Sequence, residues 1–345
     1  MAGQRETEGQ PGRDSLGTGT VKRVTLRDVA KAAGVSHQTV SRAINGKGEI
    51  DPETQRRVLD VARRLRYRPS RFARGLVRPE VVTVGLIVPD VVNPFFPEFM
   101  AGVFAAADQR GWQVLVASTE NTPPRELALL RSLGGQVDAL VSYLSHADAQ
   151  LEPYVGSVPL VIVDRGMDSS TYALVEVDTE AGIRAGMRHL IDQGHRRIGM
   201  IDCESLCDPL VRGRVFAEVA EEHALPIDDH WRIVGEQTLD GGAAAFEALH
   251  AAHPDLTAVF AFNDIVAIGA LQAARRLGIR VPDDCALVGY DGLGVTDLLD
   301  PPLTTLYLDK RRLGEMAVHQ VDRLLSGELP PPAVLTPRLN VRGTT

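Results

Sequence analysis

Beyond residue 80, short continuous runs of Val, Ile and Leu alternate with helix-like segments, and this alternation limits the folds open to the chain. The runs include VVTVGLIV, WQVLVAS, PLVIV, LTAVFAF and CALVGY. Strands that are apolar throughout indicate parallel sheets whose two faces are covered by helices. The alternation occurs twice, and 265 residues are enough for two such subdomains with a cleft between them. Residues 81–345 are therefore predicted to form two doubly wound parallel-sheet subdomains.

Polar and aromatic residues follow these predicted strands, where ligands of open α/β sheets bind. The set comprises Asn93, Phe95, Phe96, Asp164, Arg165, Arg212, Asn263 and Asp291. Aromatic faces stack on the apolar side of a sugar or base, while carboxylates, amides and arginine bond hydroxyl groups and ring oxygens. The set therefore suits a small polyhydroxylated ligand. Asp264 is expected only to cap the helix that begins at Ile265, and residues 301–305 are expected to cross between the subdomains rather than to contact the ligand.

A concentrated basic segment precedes this region. The whole chain has a formal net charge of -8, but residues 21–78 contain 15 Lys or Arg against 5 Asp or Glu. A basic run is usually a solvated face, but one this concentrated on short helical segments indicates a nucleic-acid partner. The remaining, acidic part of the chain is expected to have a different partner.

The basic segment is predicted to contain three short helices. Thr25 is placed to cap the first helix, Gly34 to end it, and Ser36 to cap a second helix over residues 36–44. Asp51-Pro52 begins a third helix, because proline is tolerated at the first helical position. Apolar residues on one face of each helix can close a small common core. The first two helices, joined by a glycine turn, form a helix-turn-helix.

The second helix of this motif is predicted to read DNA. Its inward positions are Val40, Ala43 and Ile44. His37, Gln38 and Arg42 lie near its start or one turn on, where a recognition helix contacts base edges in the major groove.

Residues 69–80 are predicted to be a linker until a partner binds them. RPSRFARGLVR retains four arginines, and Phe72, Ala73 and Leu76 have helix-like spacing. A helix this short is marginal alone, because isolated helices need about 12 to 15 residues. Gly75 weakens it by up to about 1 kcal/mol relative to alanine.

Residues 24–76, and above all TLRDVAKAAGVSHQTVSR, closely resemble the DNA-binding headpiece of the LacI family of transcription regulators. The resemblance implies that His37, Gln38 and Arg42 read bases and that Thr39 and Ser41 contact phosphate. It also implies that residues 69–80 form a hinge helix on DNA in a dimer. In that helix Arg74 would contact DNA, and Leu76 would be wedged into the minor groove.

Residues 82–342 resemble the effector domain of the same family and the periplasmic sugar-binding proteins, with NPFF, GYD and PPLTT in order. The resemblance assigns ligand contacts to the eight strand-end residues above and implies a pentose or hexose. Two positions depart from the family pattern. Gln237, which is also assigned to the ligand, stands where relatives usually stack an aromatic ring, and Leu308 stands where many have a polar side chain. A nucleoside or modified sugar therefore stays open as the ligand.

Several other classes of protein lack support in the sequence. No G-x-S-x-G, H-E-x-x-H or Walker motif is present, so neither catalytic nor metal-binding residues nor a cofactor are predicted. The catalytic alternative is a glycosidase in which Asp164 and Asp291 are the acid and base pair. Three cysteines make no disulfide framework. No membrane-spanning run or signal sequence is present, and a cytoplasmic, nucleoid-associated protein is expected.

The sequence thus predicts an all-α helix-turn-helix headpiece with a hinge helix, followed by an α/β effector core of periplasmic-binding-protein type. The predicted divisions are a disordered tail (1–22), the DNA-binding domain (23–68), the hinge (69–80) and the effector and dimerisation domain (81–345). The predicted function is a repressor that binds a palindromic operator in double-stranded DNA as a homodimer, controlled by a sugar-like effector. The alternatives are a solute-binding protein for sugar transport and a regulator that responds to a nucleoside.

Overall fold

A computed structural model describes residues 26–45, 50–64, 81–155, 158–166, 169–203, 211–226 and 231–345. The chain forms two compact units, residues 1–80 and 81–345. The predicted tail (1–22) and hinge (69–80) lie outside the described residues. No helix in the described part of the chain has both the length and the apolarity that crossing a membrane requires.

The first unit contains the three predicted helices: α1 (Leu26–Ala33), α2 (His37–Asn45) and α3 (Pro52–Arg64). They share one small core of Val29, Ala30, Ala33, Val40, Ala43, Val58, Val61 and Ala62. Helix α2 begins one residue later than the predicted range, because Ser36 stands outside it as the cap. The headpiece core predicted from the apolar stripes is thus present.

Side-chain caps and a glycine set the limits of these helices. The Ser36 hydroxyl accepts from the Thr39 backbone N–H at 3.1 Å, and the Asp51 carboxylate accepts from the Thr54 N–H at 2.9 Å. Gly34 has a φ of 66°, a left-handed conformation that glycine adopts at little cost where a helix ends. Both predicted caps that lie in the described residues are therefore confirmed.

The second unit contains two six-stranded sheets. The first has the order β11-β5-β4-β3-β1-β2 and is parallel throughout. Its strands are β1 (Thr83–Val88), β2 (Gln113–Ser118), β3 (Ala139–Ser142), β4 (Leu160–Val163), β5 (Ala173–Val177) and β11 (Ala333–Leu335). Its helices are α4 (Phe95–Asp108), α5 (Pro123–Gly134), α6 (Asp148–Val155) and α11 (Lys310–Leu325).

The second sheet has the order β12-β10-β9-β8-β6-β7. Its strands are β6 (Ile198–Cys203), β7 (Arg232–Gly235), β8 (Ala258–Ala261), β9 (Ala286–Asp291), β10 (Thr304–Tyr307) and β12 (Arg338–Asn340). Its helices are α7 (Thr179–Asp192), α8 (Val211–Glu222), α9 (Leu239–Ala252) and α10 (Asp264–Leu277). One pair departs from the predicted parallel arrangement, since β12 runs antiparallel to β10.

Position within each sheet decides how well its strands are buried. Central strands such as β1 and β9 are buried along their whole length, as continuous apolar runs predict. The edge strands β2 and β7 are partly exposed instead, because each has a neighbour on one side only. The prediction of burial on both faces is therefore wrong for these two strands.

The chain passes between the two subdomains three times: after β5, after β10 and after β11. Each passage leaves the carboxyl end of a strand. Phe95 and Phe96, beyond the end of β1, belong to the same apolar cluster as Leu293 and Leu308, beyond the ends of β9 and β10, so the carboxyl ends of the two sheets face each other. Residues 301–305, predicted to be a crossover, instead lead into and begin β10, and the crossover follows at residues 308–310.

Candidate DNA-binding face and effector cleft

Helix α2 has one buried face and one exposed face. Val40 and Ala43 are buried in the headpiece core. His37, Gln38 and Arg42 are exposed, and Thr39 is half-buried beside the cap. Gln38 and Arg42 are four residues apart and share one side of the helix. The structure thus leaves the predicted base-reading residues open to a partner along one face.

Three of the predicted DNA contacts have no described side chain. Ser41 lies within α2, but its side chain is not among those described, and Arg74 and Leu76 lie outside the described residues. Their roles stay predictions.

On the first-sheet side of the cleft, Asn93 fixes the start of α4. Its side-chain oxygen accepts from the Phe95 N–H at 3.0 Å, and its carbonyl accepts from the Phe96 N–H at 3.1 Å. The Phe95 and Phe96 rings meet edge-to-face with centroids 5.2 Å apart. The Phe96 ring also meets Tyr143, at 5.3 Å. The rings of Phe95, Phe96 and Tyr143 therefore lie together beyond the carboxyl ends of β1 and β3.

Tyr143 was missed by the sequence prediction although the same strand-end rule points to it. It directly follows β3, and it is buried against Phe95, Phe96 and Phe99. The signal was available in the run VDALVSYL, where the tyrosine comes at the end of the apolar stretch.

Two predicted carboxylates occupy left-handed backbone positions at strand ends. Asp164 follows β4 with a φ of 49°, and Asp291 ends β9 with a φ of 112°. Such conformations cost non-glycine residues of order 1–3 kcal/mol each and occur preferentially at functional sites. Asp164 directly follows β4 of the first sheet, and Asp291 is the last residue of β9 in the second sheet. One carboxylate therefore lies on each side of the cleft.

Arg212 is held rigidly at the start of α8. Its guanidinium lies between the rings of Phe262 and Tyr290, 4.2 Å and 4.1 Å from their centroids, and it donates to the Phe262 carbonyl. Stacking of this kind fixes the orientation of the guanidinium plane. Its charge opposes the rise that burial causes in the pKa of Asp291.

Asp202 is a further buried carboxylate near Arg212 that the sequence prediction missed. It lies in the carboxyl-terminal part of β6, and its Oδ2 is 3.7 Å from Arg232 Nε. Burial raises its pKa, while Arg232 and Arg212 lower it. The Asp202 carboxyl group thus lies near two arginines, Arg212 and Arg232, on the second-sheet side of the cleft.

The side chains of Asn263 and Asp264 have different partners at the start of α10. Asp264 was expected to cap α10, but the Asn263 side-chain oxygen accepts from the Val266 N–H at 3.0 Å and is the cap. Asp264 is the first residue of the helix and accepts from the Thr305 hydroxyl at 2.5 Å and the Leu293 N–H at 2.7 Å. It therefore ties α10 to the segments after β9 and in β10.

Burial raises the pKa values of two neighbouring carboxyl groups. Burial and the charge of Asp291 raise the pKa of Asp264 to about 8. Burial raises the pKa of Asp291 to about 6, although Arg212 and Lys310 oppose the rise. Burial therefore favours the protonated, neutral form of Asp264.

Lys310 joins these strand ends to α11. Its buried ammonium donates to the carbonyls of Asp291 at 2.8 Å, Gly292 at 2.9 Å and Leu308 at 3.2 Å. It also lies 3.5 Å from Glu98 Oε2 on α4. No local pattern in the sequence predicts this contact, since its partners come from three separate segments.

Two predicted contacts are directed elsewhere. Arg165 is buried, and its Nη1 lies 2.7 Å from Asp148 Oδ1 and donates to the His146 carbonyl at 3.3 Å. Gln237 is exposed beyond the edge strand β7. The structure brings the other predicted cleft residues to the two facing edges, and the roles of Arg165 and Gln237 as contacts stay predictions.

The described cysteines are Cys203 and Cys285, both buried and unbridged. Burial raises the pKa of each thiol to about 12, so neither is a reactive thiolate at neutral pH. Cys207 lies outside the described residues. Within those residues, no group of three or more His, Cys, Asp and Glu side chains could hold a metal ion.

Comparison with known proteins gives the family. The model of the bacterial regulatory proteins of the lacI family matches residues 25–70, and that of the periplasmic binding protein-like domain matches residues 187–345. The HTH-type transcriptional repressor PurR of Photobacterium profundum is 33% identical over 302 residues, covering 86% of this chain and 90% of that protein. The chain belongs to the LacI family. It is a transcriptional regulator with a helix-turn-helix headpiece and a periplasmic-binding-protein-like domain, as predicted.

Solved structures of LacI-family members share the architecture. A regulator from Arthrobacter sp. FB24 in complex with lactose is 32% identical with a TM-score of 0.70, and the match covers 76% of this chain and 99% of that one. The lac repressor dimer bound to operator and the anti-inducer ONPF is 27% identical with a TM-score of 0.72, with coverage of 94% and 99%. Both domains of this LacI-family chain thus have counterparts of known structure.

Proposed function

We propose that this LacI-family regulator is a repressor that binds a palindromic operator as a homodimer and whose DNA affinity a small, sugar-like effector changes. The observation that carries the proposal is the exposed row of His37, Gln38 and Arg42 opposite the buried face of α2. Side chains in this position reach base edges when the second helix of a helix-turn-helix lies in the major groove. Operator DNA and such a regulator share the cytoplasm, where we place the protein.

The opposite net charges of the headpiece and the effector unit support different binding partners for the two units. The basic residues of the headpiece neutralise phosphates, and the release of counterions makes DNA binding strongly dependent on salt. Residues 81–345 contain 20 Lys or Arg against 36 Asp or Glu, and this acidic unit discourages indiscriminate wrapping of DNA. We assign Thr39 and Ser41 to phosphate contacts and Arg74 and Leu76 to the hinge, where Leu76 would bend the duplex.

A surface of the effector unit supports the proposed homodimer. An open depression on the outer side of α4 is lined by Phe104, Ala105, Asp108, Trp112 and Val114. Leu115 and Val116 are exposed on the adjacent edge strand β2. An apolar edge strand of this kind promotes association unless it is covered. Since the lac repressor binds its operator as a dimer, we assign this surface to a second copy of the chain.

The cleft supports the sugar-like effector. Phenylalanine rings lie on one side, and the fixed groups of Arg212, Asn263 and Asp291 lie on the other, a combination suited to a polyhydroxylated ring. A relative of this family holds lactose. By closing the cleft, an effector would rotate one subdomain against the other and change the spacing of the two hinges in the dimer.

The DNA-binding proposal is tested with duplexes selected from a random-sequence library by the full chain. Fluorescence anisotropy then compares the selected duplex with a shuffled one. Arg42→Ala is expected to reduce the preference for the selected duplex by about 10- to 100-fold, as loss of a base contact does. The matched control Arg56→Ala removes an exposed arginine of α3. It should weaken binding to the selected and the shuffled duplex by the same factor. Equal behaviour of the two variants contradicts the assignment of α2 as the reading helix.

The effector proposal is tested by a thermal-shift screen of monosaccharides, nucleosides and their phosphates. A ligand that binds only the native state raises the melting temperature by mass action. Arg212→Ala should abolish the shift and the change in DNA affinity while leaving operator binding intact. If a sugar still changes the DNA affinity of this variant normally, the effector site lies elsewhere.

A further inference from the structure

Helix α2 is too short to hold its orientation by itself. It has nine residues, and isolated helices of fewer than about 12 to 15 residues are marginal. Its buried residues Val40 and Ala43 pack in the aliphatic core of the headpiece. Apolar contacts of this kind hold α2 against its neighbours, but they are non-directional. They therefore leave the rotation of the helix about its own axis weakly determined.

Hydrogen bonds at the two ends of α2 supply a direction. At the start, the Ser36 hydroxyl accepts from the Thr39 N–H at 3.1 Å. At the end, Gln55 Nε2 on α3 donates to the Ala43 carbonyl at 3.4 Å. The last four carbonyls of an α-helix have no partner within the helix, and that of Ala43 is one of these because α2 ends at Asn45. Gln55 thus provides, from another helix, a donor that α2 cannot provide.

Gln55 is itself held firmly at the start of α3. Its backbone N–H donates to the Asp51 carbonyl at 3.0 Å. The Asp51 carboxylate accepts from both the N–H and the hydroxyl of Thr54, each at 2.9 Å. The Gln55 side chain is half-buried. The first turn of α3 is therefore a fixed base from which the amide reaches a carbonyl 12 residues earlier in the chain.

The carbonyl that Gln55 holds belongs to the neighbour of a proposed base-reading residue. Arg42 directly precedes Ala43, and its side chain is exposed whereas that of Ala43 is buried. A side chain that makes a specific contact must be held within about 0.5 Å and 10–20° of the productive geometry. Successive residues of an α-helix are about 100° apart around its axis. A rotation of α2 by a fraction of that angle would therefore displace Arg42 from its base.

Resting on the proposed role of α2 as the reading helix, we infer that Gln55 is a positioning residue for operator selection: its amide fixes the rotation of α2 and thereby the base contact of Arg42. Gln55 acts through the Ala43 carbonyl and not through a base of its own. Selectivity for the operator is then determined in part by α3, which lies outside the reading helix.

Selectivity, defined as the ratio of the dissociation constants for the shuffled and the selected duplex, tests this role in the full chain. Gln55→Met keeps the length and the unbranched shape of the side chain but removes the donor. It should lower the selectivity about 3- to 10-fold, the effect of one lost hydrogen bond. A variant that is only less stable has fewer folded molecules, so it weakens binding to both duplexes by the same factor.

A conservative variant and a control accompany this measurement. Gln55→Arg keeps an N–H donor at the position and should retain the wild-type selectivity, while its added charge strengthens binding to both duplexes. Glu53→Met is the control, because it places the same new side chain at an exposed position of the same turn. It should change binding to both duplexes by the same factor.

A double-mutant cycle shows whether Gln55 acts through Arg42. Arg42→Ala already removes the base contact, so adding Gln55→Met should lower the selectivity by less than about 2-fold further. If the double variant instead loses the full product of the two single losses, the residues act independently and the inference is overturned.

The outcomes separate this inference from the proposed function. A loss of selectivity in Arg42→Ala without one in Gln55→Met overturns the inference but keeps α2 as the reading helix. Equal losses in Gln55→Met and Gln55→Arg also overturn it, because the donor would then not be the feature that matters. A full chain that prefers no selected duplex over the shuffled one overturns both the inference and the proposed DNA-reading function.

Discussion

The buried Asp264 carboxyl group predicts how the stability of the effector unit depends on pH. Its pKa rises from 3.8 to about 8 because the group is buried and lies near Asp291. A folded-state pKa above the unfolded value means that the native state holds the proton more tightly. The stabilisation contributed by the protonated Asp264 is therefore fully present below pH 4, and it is lost as pH rises from there through the folded-state pKa of about 8.

Replacing Asp264 by asparagine should remove this dependence. The amide is a neutral mimic of the protonated acid: its oxygen can accept from the Leu293 N–H, and its NH₂ can donate to the Thr305 hydroxyl oxygen. Both native hydrogen bonds thus keep a partner. In the wild type, each unit of increase in pH below the pKa of Asp264 lowers the free energy of unfolding by about 1.4 kcal/mol. The loss levels off above the pKa of about 8, so the total between pH 6.5 and 8.5 should be about 2 kcal/mol.

Urea unfolding followed by tryptophan fluorescence measures the effect. Both tryptophans of the chain, Trp112 and Trp231, lie in the effector unit. The window from pH 6.5 to 8.5 lies above the pKa of about 6 for Asp291. It also lies above the lowered pKa values of His189 and His195. Because Asp264 and Asp291 interact, the difference between wild type and Asp264→Asn, and not the wild-type slope alone, gives the contribution of Asp264.

The control is Asp283→Asn, at a carboxylate whose side chain is 66% exposed. It should leave the wild-type slope of unfolding free energy against pH unchanged, whereas Asp264→Asn should flatten it. A slope that is the same in wild type and Asp264→Asn refutes the reasoning, because the buried proton would then not distinguish the folded from the unfolded state.

Three shorter predictions concern positions whose contacts are equally specific. Ser36→Ala removes the cap on the Thr39 N–H and should destabilise the headpiece by about 1 kcal/mol, seen as a lower melting temperature of its helical circular dichroism signal. Gly269→Ala puts a Cβ 2.1 Å from the Leu239 carbonyl oxygen and should cost about 1–3 kcal/mol in urea unfolding; no loss would mean that α9 and α10 separate freely. Lys310→Met removes the ammonium that donates to three buried carbonyls, of which those of Asp291 and Leu308 keep a backbone N–H donor. It should cost about 1–3 kcal/mol, with Arg311→Met, at an exposed neighbour, as the control.

The headpiece could be predicted almost entirely from the sequence because its determinants are local. Ser36 and Asp51 cap helices through residues three positions away, and Gly34 ends α1 within the same short segment. The central strands were also predictable, since burial on both faces leaves a continuous apolar run such as TVGLIV. Short-range hydrogen bonds and side-chain periodicity are the features that a single sequence displays directly.

The cleft could be predicted only in part, because its contacts join distant segments. The rule that ligands bind beyond strand ends located Asp164, Arg212 and Asp291, but it gave no sign of where each side chain points. Arg165 is turned to Asp148 on α6, and Lys310 reaches carbonyls of residues up to 19 positions away. Such partners depend on how the helices pack against the strand ends, which no local pattern encodes.

The backbone conformation at Asp164 and Asp291 connects the fold to the proposed effector site. Five described non-glycine residues have positive φ: Glu120, Asn121, Asp164, Ala224 and Asp291. Three of these are exposed, whereas Asp164 is half-buried and Asp291 is buried at a strand end. Glycine would hold either strand-end conformation at lower cost. A carboxylate kept there against a penalty of order 1–3 kcal/mol is the pattern expected of the effector contacts that we propose for Asp164 and Asp291.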